Sequence, residues 1–308
     1  MVRRSLLLTV LKSFVKKYCH ANNITMNEVN LFLAKDGSWV TNRSLTESLV
    51  SIGANQCDTL YIHTALSFGQ PNPQLKKSVL LGELLNVIKG LGVKTICMPT
   101  FTFSFCNGVD YNPATSSSRM GVLNEFFRKQ EGVMRSEDPL LSVALMGEDK
   151  DLVKGIGHFS SGDNSTFDKL HHRDGVKFLF LGPKIGDCFT FMHYMEWLYG
   201  VDYRYDRFFC GNVTINGVTK KEEYALFTRY DGVIPNDGSY RYENMMYDNG
   251  SAFKTMCGDG SISIVEGGIA AKEYLKCLES DPYFFVDLTR GSLVKDKTYK
   301  PVGEVVAM

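Results

Sequence analysis

Apolar positions along the chain follow two periods, and the two alternate. Leu7, Val10, Leu11, Phe14 and Val15 fall at helical spacing, which predicts an amphipathic first helix. Thr25 with Glu28, and Ser44 with Glu47, have the spacing of capping boxes. The second precedes a short helix in "SLTESLVSIG", closed by Gly53. "DTLYIHTALS" reads as a buried strand over 58–63 that then runs into a loop. "SVLLGELLNVIKGLG" returns to the helical period and ends at Gly90 or Gly92, and "KTICMPTF" is again a strand.

"MGVLNEFFRKQ" is helical, "LLSVALMG" a strand, "SSGDNSTFDKLHHRDG" a polar loop with a short helix, "VKFLFLG" a buried strand and "DCFTFMHYMEWLYG" a helix. This alternation, with strands apolar on both faces, predicts an α/β fold with a layered mixed β-sheet and helices on both faces. From about 203 the texture changes. Asn216-Gly217 between β-rich runs signals a type I′ hairpin, and the stretch to about 265 is rich in turns and tyrosines before "AAKEYLKCLES" closes with a helix. An antiparallel β-rich C-terminal portion therefore joins the sheet or lies over one edge. The expected organisation is a single domain over 1–308. Residues 1–200 form its core, 201–265 a β-rich acceptor-side portion, and 266–308 a closing helix and tail.

Lysine plus arginine equals aspartate plus glutamate at 34 each, which argues against a general nucleic-acid binder. Without an 18-residue apolar run no membrane span is expected, and Lys12, Lys16 and Lys17 interrupt the only leader-like stretch. The eight cysteines lack a C-x-x-C pair and the histidines lack H-x-x-x-H spacing, so neither a disulfide framework nor a metal site is expected. The cytoplasm is the expected compartment.

The candidate chemistry sits in "TFMHYMEW". His193 and Glu196 lie at i and i+3 of a helix that Asp187 could cap and Gly200 could end. A carboxylate behind an imidazole fixes the tautomer that presents the other nitrogen as a base. The competing reading is a core histidine satisfied by its neighbour. His171 and His172 belong to a solvated turn, His158 follows a Gly-x-Gly, and His20 looks like a helix-end residue. Two strand exits offer backbone N–H groups to a narrow ligand at the C-terminal edge of the sheet. One carries His63, Thr64 and Ser67; the other, "PTFTFS", carries Thr100, Phe101, Thr102 and Ser104. There is no G-x-S-x-G elbow, Walker A loop or dinucleotide fingerprint, and Cys188 does not share a helical face with His193.

Five collinear blocks resemble the aminoglycoside 3-N-acetyltransferase family, a non-classical acyl-CoA-dependent group, over roughly residues 40–200. "LYIHTALSFG" looks like its strand plus "HSSLS" loop, and "MPTFTFSF" like its "PTFT" segment. "SSRMGVLNEFFRKQEGVMRSEDPLLSVALMG" is similar to its longest signature, with the R-S-x-x-P core at Arg135 to Pro139. "NSTFDKL" with "DGVKFLFLG" resembles the next block, and "TFMHYMEW" its T-x-x-H-x-x-E helix. The resemblance implies that His193 is the catalytic base with Glu196 behind it, and that Thr190 matches the motif's threonine. It implies acyl-CoA, acetyl or slightly longer, as co-substrate at the two loops, without a metal. One departure is Asp138, where antibiotic-modifying members usually carry histidine.

The acceptor would be a sugar amine, with Asp168 the candidate to bind it. Arg204, Arg207, Lys220, Lys221, Arg229 and Arg241 crowd the last third and suit a diphosphate better than a polycation. The expected function is thus N-acylation of a nucleotide-linked amino sugar in surface-polysaccharide synthesis. The alternatives are an aminoglycoside acetyltransferase, a non-catalytic CoA- or sugar-binding homologue and, more remotely, a hydrolase using Cys188. The tyrosine-rich last third also offers surface for a homodimer.

Overall fold

In a computed structural model, which describes residues 27–288, the chain opens with an antiparallel ribbon of β1 (Asn30–Leu33) and β2 (Trp39–Thr41) and passes directly into helix α1 (Asn42–Ser51). The helix predicted at 7–15 and the Thr25 cap lie outside the described residues. Thr41, rather than Ser44, caps α1. Its hydroxyl accepts from the Ser44 amide at 3.1 Å, while Ser44 Oγ accepts from the Thr41 amide at 2.9 Å. Ser44 therefore completes the capping box instead of opening one. Gly53, at φ 77°, follows the helix end as expected.

The core follows as β3 (Thr59–Thr64), β4 (Gln70–Pro71), α2 (Lys77–Lys89), β5 (Thr95–Pro99), α3 (Val122–Phe127), β6 (Met134–Arg135) and β7 (Val143–Gly147). It continues with α4 (Thr166–His171), β8 (Val176–Gly182), a short α5 (Ile185–Cys188) and α6 (Phe191–Tyr199). The last third holds β9 (Arg204–Ile215), β10 (Val218–Arg229), β11 (Val233–Pro235) and α7 (Gly238–Asp248). It ends with β12 (Ala252–Cys257), β13 (Gly260–Glu266), α8 (Gly267–Ser280) and β14 (Val286–Leu288).

Seven strands form one mixed sheet in the order β12-β13-β8-β3-β5-β7-β6. Its centre, β8-β3-β5, is parallel and its flanks are antiparallel. The continuous apolar runs have the predicted cause: successive side chains enter two different cores. Leu60, Ile62, Leu179 and Leu181 meet α1 and α2 on one face. Tyr61, Phe178 and Phe180 meet α4, α6 and α8 on the other.

The hairpin forms as read. Asn216 and Gly217 have φ 51° and 80°, the two positive values a type I′ turn requires, and β9 pairs β10 over twelve residues as a separate ribbon. The turn-rich stretch before 265 also contains α7, which the tyrosine content obscured. Tyr242 and Met246, at i and i+4, bury its inner face, and the Tyr242 hydroxyl donates to Ala270 O at 2.8 Å. Tertiary packing here outweighs tyrosine's middling helix propensity. Among the described residues no helix is long and apolar enough to cross a membrane, and no group of His, Cys, Asp and Glu is arranged to hold a metal.

Candidate active site

The segment containing His193 is two helices rather than one. Asp187 does not cap α6. It caps α5 by accepting from the Lys184 amide at 3.1 Å, and its other oxygen accepts from Tyr240 OH at 2.7 Å. The chain then breaks at Phe189, and Thr190 begins α6. Phe189 packs on Phe178 and Phe180 at ring separations of 4.9 and 5.2 Å, and Phe191 on Phe178 at 4.8 Å. These contacts with β8 fix the rotation of α6 and place His193 in its first turn. Gly200, left-handed at φ 77°, ends the helix as read and lets the chain return past Glu196.

His193 Nδ1 lies 3.2 Å from Glu196 Oε2; the imidazole side chain is 34% exposed and the carboxylate 3%. Tyr203 OH donates to Glu196 Oε1 at 2.8 Å, and Arg204 Nε lies 2.8 Å from Oε2. The Arg204 contact is ionic, since that N–H is not aimed at an oxygen. Burial pushes the Glu196 pKa up, but Arg204, His193 and Tyr203 together outweigh it and hold the carboxyl at about 2. Burial lowers the His193 pKa, and the Arg204 charge lowers it further against the opposing pull of Glu196. The result is an imidazole biased toward its neutral form, with Nδ1 engaged by Glu196.

Of the other candidates, several are buried. His63 is 3% exposed, stacked on Phe180 at 5.1 Å, and burial drops its pKa to about 3. Its ring belongs to the core. Thr100 and Thr102 are also buried, their hydroxyls donating to Ser142 O and Pro139 O at 3.1 and 2.9 Å, and Phe101 is 4% exposed. Thr64 bonds Asn124 Oδ1, Ser67 Oγ donates to Gly182 O at 3.2 Å, and Ser104 starts a 3-10 turn. Thr190 Oγ1 donates to Cys188 O at 3.3 Å.

Asp168 is not a free amine receptor. One oxygen accepts from Tyr194 OH at 2.8 Å and meets His172 Nδ1 at 3.2 Å, and the other accepts from the Asn164 amide at 2.8 Å. Burial pushes the Cys188 thiol up to about 12, which removes it as a nucleophile near neutral pH.

The β3 exit does border a groove. Two adjoining cavities, each about 410 Å³, share Lys77, Leu81 and Val122. Leu66 and Phe126 contribute apolar lining, while Lys77, Arg119 and Lys129 bring cationic side chains. Thr64 Oγ1 lies 3.5 Å from where a Cβ on Gly121, another lining residue, would stand. The groove thus combines apolar surface with Lys77 and Arg119 beside the C-terminal end of β3, while Lys129 is paired with the lining carboxylate Glu125 at 2.8 Å.

A family model described as aminoglycoside 3-N-acetyltransferase matches residues 76–261. The chain belongs to the aminoglycoside 3-N-acetyltransferase family. The match runs well past residue 200, where the recognisable blocks fade, and it begins beyond the "LYIHTALSFG" block. Solved structures agree on the fold. The AAC-IIIb binary complex with CoASH aligns at TM-score 0.66 and 18% identity, covering 78% of this chain and 96% of its own. A mutant of AAC(3)-IVa in complex with a gentamicin aligns at 0.64 and 17%, covering 85% and 93%. The YokD protein from Bacillus subtilis aligns at 0.63 and 20%, covering 78% and 94%. No curated protein matches in sequence.

In this member of the acetyltransferase family, sequence reasoning overlooked Tyr203 and the tie between Arg204 and Glu196. The available signal was Gly200, because a helix ended there turns residues 203–204 back onto its own last turns. Arg135 of the R-S-x-x-P core was likewise not given its structural place. Its guanidinium bonds Thr100 O, Ser116 O and Ser142 Oγ and lies 5.2 Å over the Tyr111 ring, pinning the loop after β5. Asp138 is 4% exposed and accepts from the Leu140 amide at 2.7 Å and Ser160 Oγ at 2.9 Å. It therefore serves the turn of that core.

Proposed function

We propose that the protein transfers an acetyl group from acetyl-CoA to an amino-sugar nitrogen, with His193 as general base. The observation that supports this best is a half-open imidazole whose Nδ1 meets a carboxylate that is itself held ionised by Arg204 and Tyr203. As the neutral amine attacks the thioester carbonyl carbon it becomes cationic. His193 Nε2 takes that proton and delivers it to the departing thiolate sulfur when the C–S bond breaks. The imidazole finishes as it began, and Glu196 stabilises the transient imidazolium.

The groove at the β3 exit suits acyl-CoA. Lys77 and Arg119 would meet phosphates, and Leu66 and Phe126 the apolar parts. The amides of Ala65, Ser67 and Thr100 donate to backbone carbonyls, which removes those three as oxyanion donors.

For the acceptor, amines of the aminoglycoside class have the stronger support, since solved neighbours hold a gentamicin and sisomicin. A nucleotide-linked sugar draws no support from the comparisons, and the cations that suggested it do not converge. Arg204 is engaged by Glu196, Arg207 lies 5.2 Å over Phe209, and Arg241 pairs with Asp237 at 3.0 Å. Lys220 and Lys221 are exposed on the arm of the hairpin. Thiol release from acetyl-CoA, measured over panels of aminoglycosides and nucleotide-linked amino sugars with wild type and His193→Gln side by side, tests the reading. Transfer that survives His193→Gln unchanged would end it.

A further inference from the structure

Two of those six cations, Arg204 and Arg229, lie beside the candidate base. Arg204 and Arg229 stand directly opposite in the register of β9 and β10, and residues so paired share a face of the ribbon. Like charges in that position repel and destabilise the pair. Arg204 has a counter-ion in Glu196 and a further acceptor in Phe227 O at 3.0 Å. Glu196 is the carboxylate that Arg229 feels as well, but both its oxygens are occupied by Tyr203, His193 and Arg204. With Glu196 at −1 and the two arginines at +2, the cluster around a neutral His193 carries one uncompensated positive charge.

Other arginines in comparable settings are closed. Arg135 meets backbone and hydroxyl oxygens, Arg173 holds Asp149 and Asp151, and Arg128 holds Glu125. Arg229 is half-buried and has no hydrogen bond or ion pair among the described residues. A guanidinium kept partly out of water beside a second one, with its five donors unused, is arranged for an anion that arrives from outside.

We propose that Arg229 is an anion seat of the active site, taking a phosphoryl or carboxylate group of a bound reactant while another part of that reactant meets His193. This rests on the acetyltransferase reading. It deepens that reading by naming the charge of the group that a bound reactant would place beside the candidate base. The anion belongs either to the CoA moiety or to the acceptor, and these two sources are separable.

Calorimetric titration of wild type, Arg229→Gln and Arg229→Lys with CoA, inorganic phosphate, glucosamine 6-phosphate and glucosamine is the test. Arg229→Gln should weaken at least one phosphorylated probe by about tenfold or more, Arg229→Lys should restore part of the loss, and glucosamine should be unaffected. A loss confined to CoA assigns the seat to the co-substrate, and a loss on glucosamine 6-phosphate assigns it to the acceptor. Equal behaviour of wild type and Arg229→Gln toward all four, including equal failure to bind, overturns the proposal.

A readout independent of variant folding is phenylglyoxal labelling of Arg229 in the wild-type protein, followed by peptide mass. CoA or phosphate should slow it, and indifference to both counts against the seat. His193→Gln separates the two ideas. It should lose transfer yet bind phosphorylated probes as wild type does, whereas full transfer in that variant would overturn the base assignment and leave the seat standing.

Discussion

His63 and His193 both looked like site residues in the sequence, and the fold gives them opposite surroundings. His63 faces inward from a central strand, stacked on Phe180, with no partner on its Nε2. His193 stands at the start of α6, one nitrogen tied to Glu196 and the ring partly open. Burial lowers the pKa of both rings, but only the second is partly open and has a carboxylate beside it. A depressed histidine pKa is therefore not by itself a mark of function. Access and a charged partner distinguish the two rings.

Replacing His193 with glutamine should break this contrast most severely. It should lower kcat by about 10²–10⁴-fold with the fold intact, measured by steady-state thiol release. Glu196→Gln removes the charge that Arg204 was buried against. It should cost roughly 3–5 kcal/mol in denaturant unfolding, part of which Glu196→Gln with Arg204→Met should recover.

Asp138 sharpens the comparison from the carboxylate side. It is about as buried as Glu196 but has only neutral donors, and its pKa is pushed up to about 6 where that of Glu196 is held at about 2. Between pH 4 and 6 the folded state binds the Asp138 proton and the unfolded state does not, so this group's contribution to stability falls as pH rises. Asp138→Asn should consequently stabilise the protein by about 1–3 kcal/mol at pH 8, with the gain vanishing toward pH 4 in thermal melts. Glu196 has the opposite sign. Its contribution is present above the ordinary carboxylate range and is lost as pH falls toward 2.

The rate profile gives a smaller effect. Because the His193 pKa is lowered, the acid limb of kcat/KM should lie below the ordinary histidine value, and a limb at or above that value would contradict the assignment. Smallest of all, His63→Leu should change stability by no more than about 1 kcal/mol and leave the rate within about twofold.

Much of the architecture was legible because its signals are local. The strand at 176–182, the helix ending at Gly90 and the hairpin at Asn216-Gly217 each follow from apolar period, glycine conformation or turn chemistry within a few residues. The Thr41 cap and α7 escaped because their deciding contacts are shared among neighbours that pattern alone ranks equally. The pairing of His193 with Glu196 was readable for the same local reason, as i,i+3 geometry needs only one helix. The roles of His63, Asp168 and Arg229 depend on partners from other elements.

What the sequence determined by itself was the period of each element, the family's collinear blocks and the imidazole–carboxylate spacing. The tertiary structure decided which histidine opens to solvent, which carboxylate stays ionised and which two arginines stand face to face. The physical reason is that desolvation and Coulomb energies depend on distances between groups that the chain brings together only by folding.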